Sequence, residues 1–130
     1  EHAISGGHGT IMFVEDDQAV REFTGHALKA LGYHVLEAND AREALHMINN
    51  ENLTFDLLIT DLVMPEISGK ELADILSQKM QNLKILYTSG YTEDTVVHNG
   101  IVDEGVNFLH KPYSVKELSA KIRFILEKDV

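Results

Sequence analysis

Apolar runs alternate with longer amphipathic segments along most of the chain. The runs predict five strands, at Thr10–Val14, His34–Ala38, Leu57–Ile59, Lys84–Thr88 and Val106–His110. The segments between them repeat apolar residues at helical spacing, which predicts helices that bury one face. The first and third runs are apolar at nearly every position, as is typical of strands in a parallel sheet that is covered on both sides.

Boundary residues support the helices that this periodicity predicts. The first helix starts at Gln18 and ends before Gly32, and its expected buried face contains Val20, Phe23, Ala27, Leu28 and Leu31. Capping-box pairs open three further helices, at Asp40 with Glu43, Ser68 with Glu71, and Ser114 with Glu117. Their expected buried residues are Ala41, Ala44, Leu45 and Ile48, then Leu72, Ile75 and Leu76, then Val115, Leu118, Ile122 and Ile125.

The segment from Tyr91 to Gly105 has a weaker pattern. Its apolar residues Val96, Val97, Ile101 and Val102 form a helical face. Gly100 interrupts that face at a cost of roughly 1 kcal/mol relative to alanine. The segment therefore predicts a short or frayed helix.

Five strands that alternate with helices require parallel pairing and right-handed crossovers, with helices on both faces of one sheet. The predicted fold is α/β, a doubly wound five-stranded parallel sheet of order 2-1-3-4-5 in a flavodoxin-like arrangement. We expect residues 10–130 to form this single domain. Residues 1–9 are rich in glycine and have the composition of a linker or a non-native remnant, so they are excluded from the fold.

Composition and charge argue against several classes of function. The chain has 130 residues, 44% of them apolar, and no cysteine, which excludes a disulfide framework, a thiol nucleophile and a zinc-thiolate site. Its formal net charge of −10 opposes direct binding to nucleic acid or to an anionic membrane surface. The absence of cysteine is compatible with a reducing compartment, so we expect a cytoplasmic protein. No apolar run is long enough to span a membrane, and no signal-peptide pattern opens the chain.

Acidic residues follow the first and third strands at the point where each strand ends. Glu15, Asp16 and Asp17 follow the first strand, and Asp61 ends the third. In the order 2-1-3-4-5 these strands flank the switch point, where ligands bind in open α/β sheets. Two like charges about 4 Å apart repel by roughly 4 kcal/mol at an effective dielectric of about 20, so such a cluster needs a cation. Oxygen ligands without His or Cys favour Mg²⁺.

Two further side chains are predicted at the same edge of the sheet. Lys111 ends the fifth strand and Ser89 ends the fourth, which brings an ammonium and a hydroxyl beside the acids. A carboxylate nucleophile, a divalent cation, a lysine and a hydroxyl are together the groups needed to accept a phosphoryl group and screen its charge. In contrast, we expect Asp56 to be a strand-entry residue and Arg21 to be an exposed helix charge.

In this order the residues resemble the receiver domains of two-component response regulators. The resemblance covers about Thr10 to Lys128. The matching positions are Glu15-Asp16, Asp61 as the phosphoacceptor, Met64-Pro65, Gly69, Ser89-Gly90, Phe108 and Lys111-Pro112. Each motif is weak alone, whereas the ordered set is specific. The lead-in Gly-His-Gly-Thr and the run Ser89–Thr92 are similar to receivers attached to hybrid sensor histidine kinases.

The resemblance implies a role in a phosphorelay. Asp61 would take a phosphoryl group from the phosphohistidine of a histidine kinase or a histidine phosphotransfer protein. Such a domain is not an enzyme acting on external substrates, because its chemistry is confined to its own phosphorylation and dephosphorylation. Kinase domains are expected before Gly9, and the residues do not specify the oligomeric state.

The resemblance also implies roles for the other site residues. Asp16, Asp61 and the backbone carbonyl of Val63 would bind Mg²⁺ directly, while Glu15 would act through water. A third acid, Asp17, follows this pair. We assign Glu15 and Asp16 to the metal because Glu15 is the residue that immediately follows the strand.

The remaining implied roles concern the response to phosphorylation. Ser89 and Phe108 would be the switch residues, and Phe108, which lacks the hydroxyl that tyrosine has, would be held inward by packing alone. The Lys111-Pro112 peptide bond would be cis.

Three alternatives compete with this interpretation. An aspartate-nucleophile, Mg²⁺-dependent phosphohydrolase carries a second acid two residues after its nucleophile, where this chain has Val63. A flavodoxin-like nucleotide or flavin module requires a glycine-rich phosphate loop after the first strand, which is absent. A degenerate receiver that only binds partners is disfavoured because no site residue is missing.

Overall fold

The structure is a computed structural model that describes residues 9–90 and 106–127. In these residues five parallel strands form one sheet in the order β2-β1-β3-β4-β5, as predicted. The strands are β1 Thr10–Val14, β2 His34–Ala38, β3 Leu57–Asp61, β4 Lys84–Ser89 and β5 Phe108–His110. The helices are α1 Gln18–Ala30, α2 Ala41–Glu51, α3 Gly69–Lys79 and α4 Val115–Glu127. The weak helical segment at Tyr91–Gly105 lies outside the described residues.

The fifth strand is shorter than predicted, since it begins at Phe108 and not at Val106. The residue before it, Asn107, is bound to β4 in two ways. Its carbonyl accepts a hydrogen bond from Tyr87 N at 3.0 Å, and its side-chain amide donates to Ile85 O at 3.2 Å. The second contact uses the side chain instead of the backbone, so the regular ladder starts one residue later.

The helix boundaries follow from their capping residues. Ser68 and Glu71 form the complete capping box predicted at the start of α3. Ser114 and Glu117 do the same before α4, with Ser114 N donating to Glu117 Oε1 at 2.8 Å and Glu117 N donating to Ser114 Oγ at 3.0 Å. Before α2, Asp40 Oδ1 accepts a hydrogen bond from Glu43 N at 2.8 Å, but the Glu43 side chain accepts one from Asn39 N at 2.6 Å and not from Asp40 N. These caps satisfy backbone N–H groups that have no partner inside a helix.

The core lies on both faces of the sheet, as expected for a doubly wound fold. Met12, Leu58 and Leu72 are fully buried on the side of α2 and α3, while Phe13 and Ile59 are fully buried on the side of α1 and α4. None of the helices in the described ranges combines the length and the apolar character needed to cross a bilayer.

Two predicted core residues are exposed. Phe23 in α1 is 54% exposed and Ile75 in α3 is 37% exposed. Each precedes a buried residue of its helix by one position, Phe23 before Thr24 and Ile75 before Leu76. One position is a rotation of about 100° around a helix, which turns these side chains away from the sheet.

Candidate functional site

Three carboxylates meet at the carboxyl edge of the sheet. Glu15 and Asp16 follow β1, and Asp61 ends β3, which pairs directly with β1. One oxygen from each of the three lies within 4.8 Å of the other two. Asp17 has a different role, because its Oδ1 accepts a hydrogen bond from Val20 N at 3.1 Å as the N-cap of α1. The structure thus resolves which of the consecutive acids join Asp61.

Lys111 is shared between two of these acids. Its Nζ lies 2.7 Å from Glu15 Oε1 and 3.0 Å from Asp61 Oδ2. The Glu15 side chain is fully buried, whereas 13% of the Asp61 side chain and 20% of the Lys111 side chain are exposed. The second Glu15 oxygen accepts a hydrogen bond from Asp17 N at 3.1 Å. One Glu15 oxygen is therefore hydrogen-bonded, while the other is paired with the Lys111 charge at 2.7 Å without hydrogen-bond geometry.

Burial and the neighbouring charges shift the pKa values of Glu15 and Lys111 in opposite directions. Burial raises the pKa of Glu15 above its usual value, although Lys111 and the Asp17 N–H both oppose the shift. Burial lowers the pKa of Lys111, but the contacts and charges of Glu15 and Asp61 outweigh it and the pKa is raised. Lys111 is accordingly a fixed cation at neutral pH.

Arg21 contradicts its prediction as an exposed helix charge. It is only partly exposed, and its Nη1 donates to the backbone carbonyl of Glu15 at 2.7 Å. The first turn of α1 lies next to the acidic loop, so an arginine at this position reaches back to it. An arginine one turn into a helix that directly follows an acidic loop is the signal that sequence reasoning missed.

Gly69 fixes the loop that follows Asp61. Its N–H donates to Leu62 O at 2.9 Å. A Cβ at this position would collide with the carbonyl oxygen of Asp61 and lie 3.1 Å from the Cα of Leu62. Both contacts are with backbone, which cannot move aside as a flexible side chain can. A residue without a side chain is therefore required where α3 begins.

The same loop carries two residues with unusual surroundings. Val63 is 55% exposed, and its N–H lies 3.4 Å from Asp61 Oδ1. Glu66 has a φ of 67°, a left-handed conformation that is uncommon for a residue other than glycine, and it pairs with Arg42 of α2 at 2.6 Å.

The donor set fits a hard divalent cation. Glu15, Asp16 and Asp61 offer only carboxylate oxygens, the ligands that Mg²⁺ prefers. With Lys111 included, the group carries a net charge of −2, which a divalent cation neutralises. A bound Mg²⁺ would offset the repulsion among the acids and attract an anion.

Comparison with known proteins identifies the family. The family described as the response regulator receiver domain matches residues 11–123 of this chain. The chain belongs to this family. Sensor kinase CckA of Brucella abortus (strain 2308) is 37% identical over 122 residues, which cover 94% of this chain and 13% of that kinase. This receiver domain therefore spans a small part of that relative.

Solved structures support the same assignment. The receiver domain of the hybrid histidine kinase CckA has 37% identity and a TM-score of 0.75, with 91% of this chain and 99% of that chain covered. The response regulator TrrA of Thermotoga maritima, solved in complex with Mg²⁺-BeF, has 28% identity and a TM-score of 0.73, with 90% and 98% covered. These likenesses do not favour the phosphohydrolase or flavin-module alternatives.

Two hydroxyls end β4 in the receiver domain, and both are buried. Thr88 lies in register with Asp61, and its Oγ1 has no hydrogen-bond partner among the described residues. The backbone carbonyl of Ser89 accepts a hydrogen bond from Lys111 N at 2.8 Å. The assignment of Ser89 as the hydroxyl of the switch stays a prediction.

Phe108 is already buried in this structure, with 6% of its surface exposed. It packs with Tyr87 in the apolar cluster on the side of α2 and α3. Its role as a switch residue stays a prediction. The Lys111-Pro112 bond is cis, as the resemblance implied.

Asp56 lies at the opposite end of β3 from the acid cluster. Its Oδ2 accepts a hydrogen bond from Thr10 N at 2.9 Å, and its carbonyl accepts one from Lys84 N at 3.3 Å. These bonds connect β1, β3 and β4 where the strands begin, which confirms its prediction as a strand-entry residue.

Proposed function

We propose that Asp61 accepts a phosphoryl group from a phosphohistidine, as the acceptor of a two-component phosphorelay. A carboxylate oxygen of Asp61 forms a bond to phosphorus while the phosphorus–nitrogen bond of the donor breaks. The imidazole nitrogen keeps that electron pair and takes up a proton. Hydrolysis of the acyl phosphate later restores the carboxylate and releases inorganic phosphate.

The observation that carries this proposal is the contact of Lys111 Nζ with Asp61 Oδ2 at 3.0 Å beside two further carboxylates. The cation lies where negative charge would accumulate on the transferred group. Asp61 is partly accessible, so a donor can reach it, whereas Glu15 is not.

Mg²⁺ is the proposed cofactor. Asp16 and Asp61 are proposed as direct ligands together with the Val63 carbonyl. Glu15 is proposed to support the metal through water, because each carboxylate oxygen has two lone pairs and can accept a further hydrogen bond beside its present contact. The metal would supply charge neutralisation for the phosphoryl oxygens.

The proposed partner is a histidine kinase or a histidine phosphotransfer protein, and the proposed setting is the cytoplasm. The likeness to CckA supports an origin in a hybrid histidine kinase. The net charge of −10 supports the absence of direct binding to nucleic acid or to anionic membranes.

Phosphorylation with acetyl phosphate and Mg²⁺ tests the acceptor. Intact-mass spectrometry should find a single phosphoryl addition to the unmodified protein and none to Asp61→Asn. Asp56→Asn is the matched control, because it changes an aspartate at the other end of the same strand and should leave the addition intact. A phosphoryl group that persists in Asp61→Asn would sink the assignment.

Ser89 is proposed to bind the phosphoryl oxygen and to start the switch. A charge-assisted hydrogen bond contributes roughly 1.5 to 3 kcal/mol, enough to shift a loop between two conformers of similar free energy. Amide chemical shifts recorded with beryllofluoride should change around Phe108 in the unmodified protein. Ser89→Ala should still bind beryllofluoride but lose those changes, and the assignment passes to Thr88 if Thr88→Ala loses them instead.

A further inference from the structure

A pair of hydroxyls joins α1 to the loop that carries Lys111. The Tyr113 hydroxyl lies 2.8 Å from Thr24 Oγ1, and either group can be the donor. Thr24 is fully buried, and Tyr113 packs against the apolar cluster on the side of α1 and α4. The two residues are 89 positions apart in the chain, so the bond connects distant segments.

In the described part of the chain, two hydrogen bonds tie the loop after β5 to neighbouring elements beside the ion pairs of Lys111, and this bond is the second of them. The first is the hydrogen bond from Lys111 N to Ser89 O at 2.8 Å, which ties the loop to β4. Tyr113 follows Lys111 by two residues and ties the loop to α1. A lysine ammonium sits at the end of a flexible chain, so its position depends on how firmly the backbone below it is held.

One turn of α1 supports both members of the ion pair between Glu15 and Lys111. Arg21 and Thr24 are three residues apart and therefore lie on the same side of the helix. Arg21 donates to the Glu15 carbonyl at 2.7 Å, and Thr24 bonds to Tyr113. The helix thus sets the separation between Glu15, in the loop after β1, and Lys111, in the loop after β5.

We propose that Thr24 and Tyr113 are positioning residues that hold the Lys111 ammonium at the distance from Asp61 needed to bind a phosphoryl-like anion. The inference rests on the proposed function. Neither hydroxyl is among the proposed metal ligands, so the pair acts on the anion through Lys111 and leaves the metal ligands unchanged.

Tyr113→Phe tests the proposal because it removes one hydroxyl and keeps the ring. Beryllofluoride is the probe, titrated in saturating Mg²⁺ by calorimetry, and Mg²⁺ is titrated separately. We expect beryllofluoride to bind roughly three- to tenfold more weakly, the factor that loss of one buried hydrogen bond gives. Mg²⁺ affinity should stay within about twofold of the unmodified protein. A purely structural role would lower the melting temperature without separating the two affinities.

Two further variants complete the design. Thr24→Val removes the other hydroxyl with little change of shape and should weaken beryllofluoride by a similar factor. The double variant should bind beryllofluoride no more weakly than the more affected single variant, because both changes break the same hydrogen bond. Tyr33→Phe is the matched control, since Tyr33 is a buried tyrosine just before β2, at the opposite edge of the sheet.

The outcomes separate this inference from the proposed function. If the unmodified protein binds beryllofluoride and Tyr113→Phe binds it equally well, the positioning role is wrong while the receiver function stands. Parallel losses of Mg²⁺ and beryllofluoride affinity, or an equal loss in Tyr33→Phe, also overturn the positioning role. Failure of the unmodified protein to bind beryllofluoride refutes the proposed function itself.

Discussion

Two aspartates flank the same strand, and their surroundings differ in kind. Asp56, before β3, accepts a hydrogen bond from Thr10 N at 2.9 Å and bridges neighbouring strands through its backbone. Asp61, at the far end, contacts Lys111 at 3.0 Å and lies among two other acids. Its contact with a backbone N–H, that of Val63, is long at 3.4 Å.

The difference shows how one residue type can serve the fold or the chemistry. An acid that satisfies backbone donors stabilises the native state. An acid held beside like charges destabilises it, and such groups are found where function requires them. The amino end of the sheet thus contributes stability, whereas the carboxyl end holds charge ready for a ligand.

The largest expected effect comes from Gly69 at the carboxyl end. In Gly69→Ala the new Cβ meets the backbone of Asp61 and Leu62, and relief of that overlap should cost about 2 to 3 kcal/mol in the free energy of unfolding. Urea denaturation measures the loss. Gly25→Ala in α1 is the control, because the three atoms nearest to its Cβ all belong to the flexible end of Glu37 and alanine favours the helix by roughly 1 kcal/mol. Equal losses in the two variants would contradict the proposed role of the Gly69 backbone contact.

An intermediate effect is expected from Mg²⁺. Its stabilising effect distinguishes the two aspartates, because only Asp61 is a proposed ligand. At about ten times its dissociation constant, Mg²⁺ should raise the free energy of unfolding by about 1.4 kcal/mol through preferential binding to the folded state. Asp61→Asn should lose this gain, and Asp56→Asn should keep it. Thermal unfolding with and without Mg²⁺ gives the comparison, and an equal gain in both variants would refute the placement of the metal.

The smallest effect is expected at the amino end. Asp56→Ala removes the acceptor of Thr10 N and should cost about 1 kcal/mol, because water can partly replace it at this exposed position. Asp56→Asn keeps an acceptor oxygen and should cost less than about 0.5 kcal/mol. Urea denaturation distinguishes the two. A change in Mg²⁺ affinity in either variant would show that the two ends of β3 are not independent.

Much of this architecture follows from local sequence signals. The strand order and the meeting of Glu15, Asp16 and Asp61 follow from alternating periodicities and from the rules for parallel connections, which depend little on side-chain detail. Asp17 could be assigned as a helix cap only once the start of α1 was known, because a carboxylate at that point is equally suited to a cap or to a metal ligand.

Contacts between distant segments were not predictable in the same way. Periodicity assigned Phe23 and Ile75 to the core, but it does not fix the edges of a buried stripe, where one position decides exposure. The bond between Thr24 and Tyr113 joins residues 89 positions apart and has no local signature. In contrast, Arg21 contacts a residue only six positions away, so its local context, one turn into a helix that follows acidic residues, was a usable signal.

The sharing of Lys111 has a consequence for the order of events under the proposed function. Its ammonium has three N–H donors and is engaged by two carboxylates, at 2.7 and 3.0 Å, so one donor is left to meet an incoming phosphoryl oxygen. Glu15 is fully buried, so loss of its contact with Lys111 would leave a buried carboxylate without this cation, which is costly. Asp61 is partly exposed, so its contact with Lys111 can be exchanged at lower cost. Lys111 can therefore hold the incoming phosphoryl group beside Asp61 before the new bond forms, while Glu15 keeps the ammonium in place throughout.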